Sequence, residues 1–222
     1  MRRHLGAAAL PVAAVLLTAC GGGPGAVVPA AGPTSQGPLL PPAEEVRLAA
    51  YGDSITQADG DVPAGELGAG SWLSTAATDG VVFAGGWARG GATTADMLAA
   101  AEPVAADVLV VLAGTNDPGA GLSGEQTAAN IRALVDRVGV AQVVVSAVPP
   151  RDAAPEVAVA TNEVLADLAE QAGWVFADPM AGVREGDRFA PGMSTDGLHP
   201  TGAGAAVIGS ALRSTVLEVA AR

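Results

Sequence analysis

Ser54, Asn116, Asp196 and His199 are the side chains whose types and spacing could do covalent chemistry. A serine hydroxyl is a weak nucleophile until an imidazole takes its proton, and the imidazole must itself be oriented by a third group. His199 is one of two histidines, and the other, His4, lies in an N-terminal leader. Asp196 stands three residues before His199 and can reach the Nδ1 side of the ring within one turn. Acyl transfer also needs hydrogen-bond donors aimed at the oxyanion of a tetrahedral intermediate. Asn116 offers a side-chain amide for that purpose, and Gly91 permits a close backbone N–H. Each residue also has a plainer role. Ser54 could cap a helix, Asn116 could sit in a turn, and His199 before Pro200 could be an ordinary loop residue. Asp53 is read as holding its turn through backbone amides, and Asp117, before Pro118, as a turn residue. Thr56 and Thr115 either order the site or serve those turns.

Such groups must be brought together by the elements around them. Apolar runs predict strands at Val46 to Tyr51, Val81 to Phe83, Val108 to Leu112, Gln142 to Val148 and Trp174 to Ala177. Between them lie helical segments: Trp72 to Thr78, Thr94 to Ala101, Ser123 to about Val138, Ala154 to Ala172 and Gly202 to Val219. Ser123 with Gln126 three residues on is a capping-box signal. Short apolar strands alternating with helices predict an α/β fold: a five-stranded parallel sheet covered on both faces. In such sheets ligands bind beyond the carboxyl ends of the strands. The breaks at Gly52-Asp53-Ser54, Gly90-Gly91 and Gly114-Thr115-Asn116 each follow a strand, so they converge on one rim. Asp178 to Thr195 is read as a loop crossing that rim, with its charges solvated. Trp72 and Trp174 are read as core; Trp87 either packs in the core or lines a pocket.

The chain has 222 residues and a formal charge of −12, with 11 arginines, 23 carboxylates and no lysine. That surface repels phosphate backbones, so nucleic-acid partners are excluded. No cluster has metal-ligand spacing, and no metal or cofactor is expected.

Four blocks stand in order: Gly52-Asp53-Ser54-Ile55-Thr56, Gly91, Gly114-Thr115-Asn116-Asp117 and Asp196-Gly197-Leu198-His199-Pro200. Together they resemble the SGNH (GDSL) hydrolases over residues 46 to about 219. The resemblance implies a flavodoxin-like three-layer α/β/α fold and esterase, lipase or carbohydrate-esterase activity. It implies that Ser54 is the nucleophile and also lends its N–H to the oxyanion hole, with Gly91 N–H and the Asn116 amide. His199 would be the base and then the acid, oriented by Asp196. The choice of Gly91 over Gly90 rests on a Gly-Ala-Thr run that matches the family's glycine-x-threonine. The sequence departs from the family at two points. Ala58 stands where a glycine usually follows the block-one threonine by two residues, and Trp87-Ala88-Arg89 precedes Gly90 where an asparagine often opens the second block. Both departures fall on the pocket rim. A Gly-x-Ser-x-Gly elbow is absent, which argues against the other serine-hydrolase fold.

Met1-Arg2-Arg3-His4 is a basic start, followed by an apolar run from Leu5 to Leu17. Those thirteen residues are too few to cross a bilayer core, which takes about 20; they read as a secretory signal. Leu17-Thr18-Ala19-Cys20 resembles a bacterial lipobox, which implies lipidation at Cys20. Cys20 is the only cysteine, so no internal disulfide is expected. The expected organisation is a signal peptide over 1–19, a lipidated cysteine and Pro/Gly-rich tether over 20–43, and a folded domain over 44–222. Loss of the signal leaves 9 arginines against 23 carboxylates. The expectation is thus a monomeric serine esterase anchored to the membrane in the bacterial cell envelope, acting on a short-acyl, carbohydrate or other envelope ester. An acyltransferase with the same serine, or an envelope-binding lipoprotein on a hydrolase scaffold, are the alternatives.

Overall fold

A computed structural model describes residues 44–222; Cys20, the leader and the tether lie outside the described residues. Five parallel strands form one sheet: β1 (Val46–Gly52), β2 (Val81–Ala88), β3 (Val108–Leu112), β4 (Gln142–Ser146) and β5 (Val175–Ala177). Their order is β2-β1-β3-β4-β5, so the chain reverses its direction of travel across the sheet at β1 and β3. In a doubly wound sheet this is the switch point where a crevice opens.

The alternation of each strand sorts its side chains into two cores. Leu48 and Ala50 of β1 face a cluster with Val110, Trp72, Ile208 and Leu212. Ala49 and Tyr51 face the other, with Val111, Met97, Ile131 and Leu165. The first is covered by α1 (Ser54–Gln57), α2 (Trp72–Ala76) and α6 (Gly202–Ala220); the second by α3 (Thr94–Ala99), α4 (Gly124–Val138) and α5 (Pro155–Ala172). The architecture is therefore a three-layer α/β/α fold. All five residues of β3 are fully buried, and each buried Val or Leu contributes about 1.5–3 kcal/mol. Trp72 is core, whereas Trp174 is half-buried against the second cluster.

Local chemistry sets the ends of the helices. The Ser123 hydroxyl accepts from Gln126 N–H while the Gln126 side chain accepts from Ser123 N–H, the capping box the sequence predicts. Two stretches differ from expectation. Strand β2 runs five residues beyond Phe83, through Gly85 and Gly86, after a register shift that leaves Ala84 without a partner on β1. Gly86 lies so close to β1 that a Cβ would fall 1.9 Å from the Ala50 carbonyl oxygen, which excludes every other residue. The segment before Asp196, read as a loop, contains a small antiparallel hairpin, β6 (Arg184–Glu185) with β7 (Arg188–Phe189).

Candidate active site

The first three strands deliver their trailing loops to one rim. At the end of β1, a Cβ on Gly52 would lie 2.0 Å from Thr56 Oγ1, so only glycine lets α1 begin so sharply. Asp53, not Ser54, caps that helix: its Oδ1 accepts from Ile55 N–H at 3.0 Å. The Ser54 hydroxyl is thereby left free for another partner. Thr56 fixes α1 to α2, because Trp72 Nε1 donates to Thr56 Oγ1 and Ser71 Oγ donates to the Thr56 carbonyl.

That partner is His199. Ser54 Oγ lies 3.0 Å from His199 Nε2, and His199 Nδ1 lies 2.7 Å from Asp196 Oδ2. A carboxylate only accepts, so Nδ1 carries the proton and the Nε2 lone pair faces the serine O–H. The other Asp196 oxygen accepts from the N–H groups of Leu198 and His199. The imidazole, followed by these two amides, holds the Asp196 carboxyl well below the usual carboxylate range. Ser194 completes the turn: its hydroxyl donates to the His199 carbonyl and accepts from Gly197 N–H. The only signal of Ser194 in the sequence is a small hydroxyl two residues before the aspartate. The hairpin supports this loop indirectly. Asp152 accepts from Phe189 N–H through its side chain, while its own N–H donates to the Gly197 carbonyl. Arg184, read as solvated, is in fact paired with Asp178.

On the other side of Ser54, Gly90 and Gly91 are adjacent but differently engaged. Gly90 N–H donates to Gln57 Oε1 at 2.6 Å. Gly91, at φ +75°, carries no backbone partner among the described residues. Asn116 Nδ2 donates one of its two N–H groups to the Ala92 carbonyl at 2.9 Å, and the other remains for a ligand. Asp117, read as a turn residue, is instead a buried hub. It accepts from Thr94 N–H, Thr94 Oγ1 and Thr127 Oγ1, so one carboxylate binds the starts of α3 and α4 to the Asn116 turn. Trp87 is half-buried against the second core and also lines a 580 Å³ cavity with Arg89, Gly91 and Asp96.

Two features carry a cost. Asp53 is fully buried, and burial pushes its carboxyl up to about 6 against the opposing pull of Ile55 N–H. Its Oδ2 and Thr115 Oγ1 are both buried without a hydrogen-bond partner. Ala58 adopts φ +47°, ψ −117°, a region that favours glycine, at a cost of about 1–3 kcal/mol. Among the described residues no group of His, Cys, Asp and Glu could hold a metal ion.

A parallel sheet that sends a serine, a glycine amide and an asparagine amide to one rim, and meets them with a His–Asp pair ahead of its last helix, defines a class of α/β/α ester hydrolase built without a nucleophile elbow. Residues 50–207 match the GDSL-like Lipase/Acylhydrolase family. The chain belongs to that family. Its fold is similar to a GDSL-like lipase from Bacteroides thetaiotaomicron, with a TM-score of 0.60 and 18% identity over 78% of this chain and 88% of that one. It is also similar to a carbohydrate acetylesterase family member from Sinorhizobium meliloti (0.58, 19% identity, 80% and 100% covered). A third likeness is to a lipolytic G-D-S-L family protein from Veillonella parvula (0.60, 20% identity, 79% and 98% covered). No curated protein sequence matches the chain significantly.

Proposed function

We propose that this ester hydrolase cleaves carboxylic esters of short acyl groups, or of envelope carbohydrates, through an acyl-enzyme on Ser54. The observation that carries the reading is the file from Ser54 Oγ through His199 to Asp196, with contacts of 3.0 and 2.7 Å. Ser54 Oγ attacks the ester carbonyl carbon as its proton passes to His199 Nε2, and Asp196 stabilises the imidazolium. The carbonyl π pair moves onto oxygen, where Ser54 N–H, Gly91 N–H and the free Asn116 N–H receive it. As the intermediate collapses, the ester C–O bond breaks and His199 returns its proton to the departing alkoxide. Water, deprotonated by the same imidazole, then releases the acid and regenerates Ser54. The leader and the Leu17-Thr18-Ala19-Cys20 box support export and lipid anchoring at Cys20 as part of this proposal.

Hydrolysis of a p-nitrophenyl ester chain-length series by the domain from Pro38 onward tests the reading. Turnover greatest on short acyl chains, with Ser54→Ala down by several orders of magnitude and no longer labelled by a fluorophosphonate, is expected. Unchanged turnover in Ser54→Ala would overturn the acyl-enzyme.

A further inference from the structure

Ala58 is one of two non-glycine residues with positive φ among the described residues, and it stands four residues after the nucleophile. Its N–H closes α1 by donating to the Ser54 carbonyl at 2.8 Å, so its position is coupled to that of Ser54. It lines a cavity of about 390 Å³ shared by Ser54, Asp59, Gly70, His199 and Pro200. Gly70 lines the same cavity, and its N–H is held by Asp59 Oδ1 at 2.9 Å. A Cβ built on Gly70 would lie 3.7 Å from the Ala58 methyl. The Ala58 methyl and Gly70 therefore adjoin in the lining, and a carbon removed or added at either changes the room beside Ser54 and His199.

His199 lines this same cavity, and His199 must hand its proton to the leaving oxygen. The alcohol half of the ester consequently enters here, while the oxyanion lies toward Gly91 and Asn116. Resting on the reading of Ser54 and His199 as nucleophile and base, we propose that the strained Ala58 methyl is a specificity element that limits the size of the alcohol portion of the ester. Glycine would relieve the backbone and widen the cavity at once. Alanine keeps the strain and the narrow wall together.

The test compares phenyl acetate with 1-naphthyl acetate, using Ala58→Gly and Gly70→Ala. The Gly70 backbone lies outside the positive-φ region, and an added methyl there has ordinary van der Waals room. Ala58→Gly is expected to raise the naphthyl-to-phenyl ratio of kcat/KM about tenfold, the size of effect one carbon has in a pocket. It should also raise Tm by about 2–4 °C. Gly70→Ala, which adds a carbon to the same lining, is expected to lower the ratio. Ratios within twofold of the parent in both variants would overturn the proposal. So would a change confined to the acyl-length preference on p-nitrophenyl esters. Absence of ester hydrolysis in the parent itself would overturn the underlying reading instead.

Discussion

Asp53 shows how one residue next to a nucleophile can be kept against its own stability. Its carboxyl titrates at about 6 when folded and near 3.8 in an unfolded chain, so the folded state favours the protonated form. Stability from this group is full below about pH 4 and declines as pH rises. Above about pH 6 the protein carries a constant penalty of roughly 3 kcal/mol. Asp53→Asn keeps the Oδ1 acceptor for Ile55 and offers Nδ2–H to the unpartnered Thr115 hydroxyl. The variant should gain stability over the parent in urea denaturation at pH 8, and the gain should vanish near pH 4. A pH-independent difference would mean that packing, not ionisation, controls the site.

At the scale of elements, what holds the rim together is a set of short polar ties between loops that the sheet has already brought close. Asp117 is the main one. Asp117→Ala would strand Thr94 N–H and the hydroxyls of Thr94 and Thr127 in a dry interior, at a cost of at least about 3 kcal/mol in thermal denaturation. Asp117→Asn, which retains one acceptor, should lose less. This hub was not legible in the sequence, because an aspartate before a proline looks the same whether its carboxylate meets water or three donors. The strands and long helices were legible, since apolar runs and the Ser123–Gln126 box act locally. The extension of β2 through Gly85 and Gly86 was not: its reason is the Ala50 carbonyl on a neighbouring strand, a contact local sequence does not encode. The residues of the Ser54–His199–Asp196 file were candidates by type and spacing, and the resemblance to the SGNH hydrolases gave them their roles. Gly91 is preferred to Gly90 through the Gly-Ala-Thr run that matches the family, and in the structure the Gly90 amide is engaged by Gln57.

For the molecule as a whole, a single cysteine after the apolar run Leu5 to Leu17 makes one prediction about address. In a bacterial host, the full chain should incorporate labelled palmitate and sediment with membranes, and Cys20→Ser should lose the label. Labelling that survives the substitution would place the anchor elsewhere. The fold divides the active groups unequally between protected and open ground. Asp53, Thr115 and Asp117 are sealed beneath the rim, whereas the side chains of His199 and Asp196 remain 44% and 51% exposed. The proposed acyl-enzyme would form beside this exposed pair, where water stands at about 55 M. The competition between water and any acceptor alcohol is then decided by concentration and capture, and an acceptor must bind beside His199 before it can outrun the solvent. For the acyl-enzyme proposed above, openness at the base favours water as the acceptor.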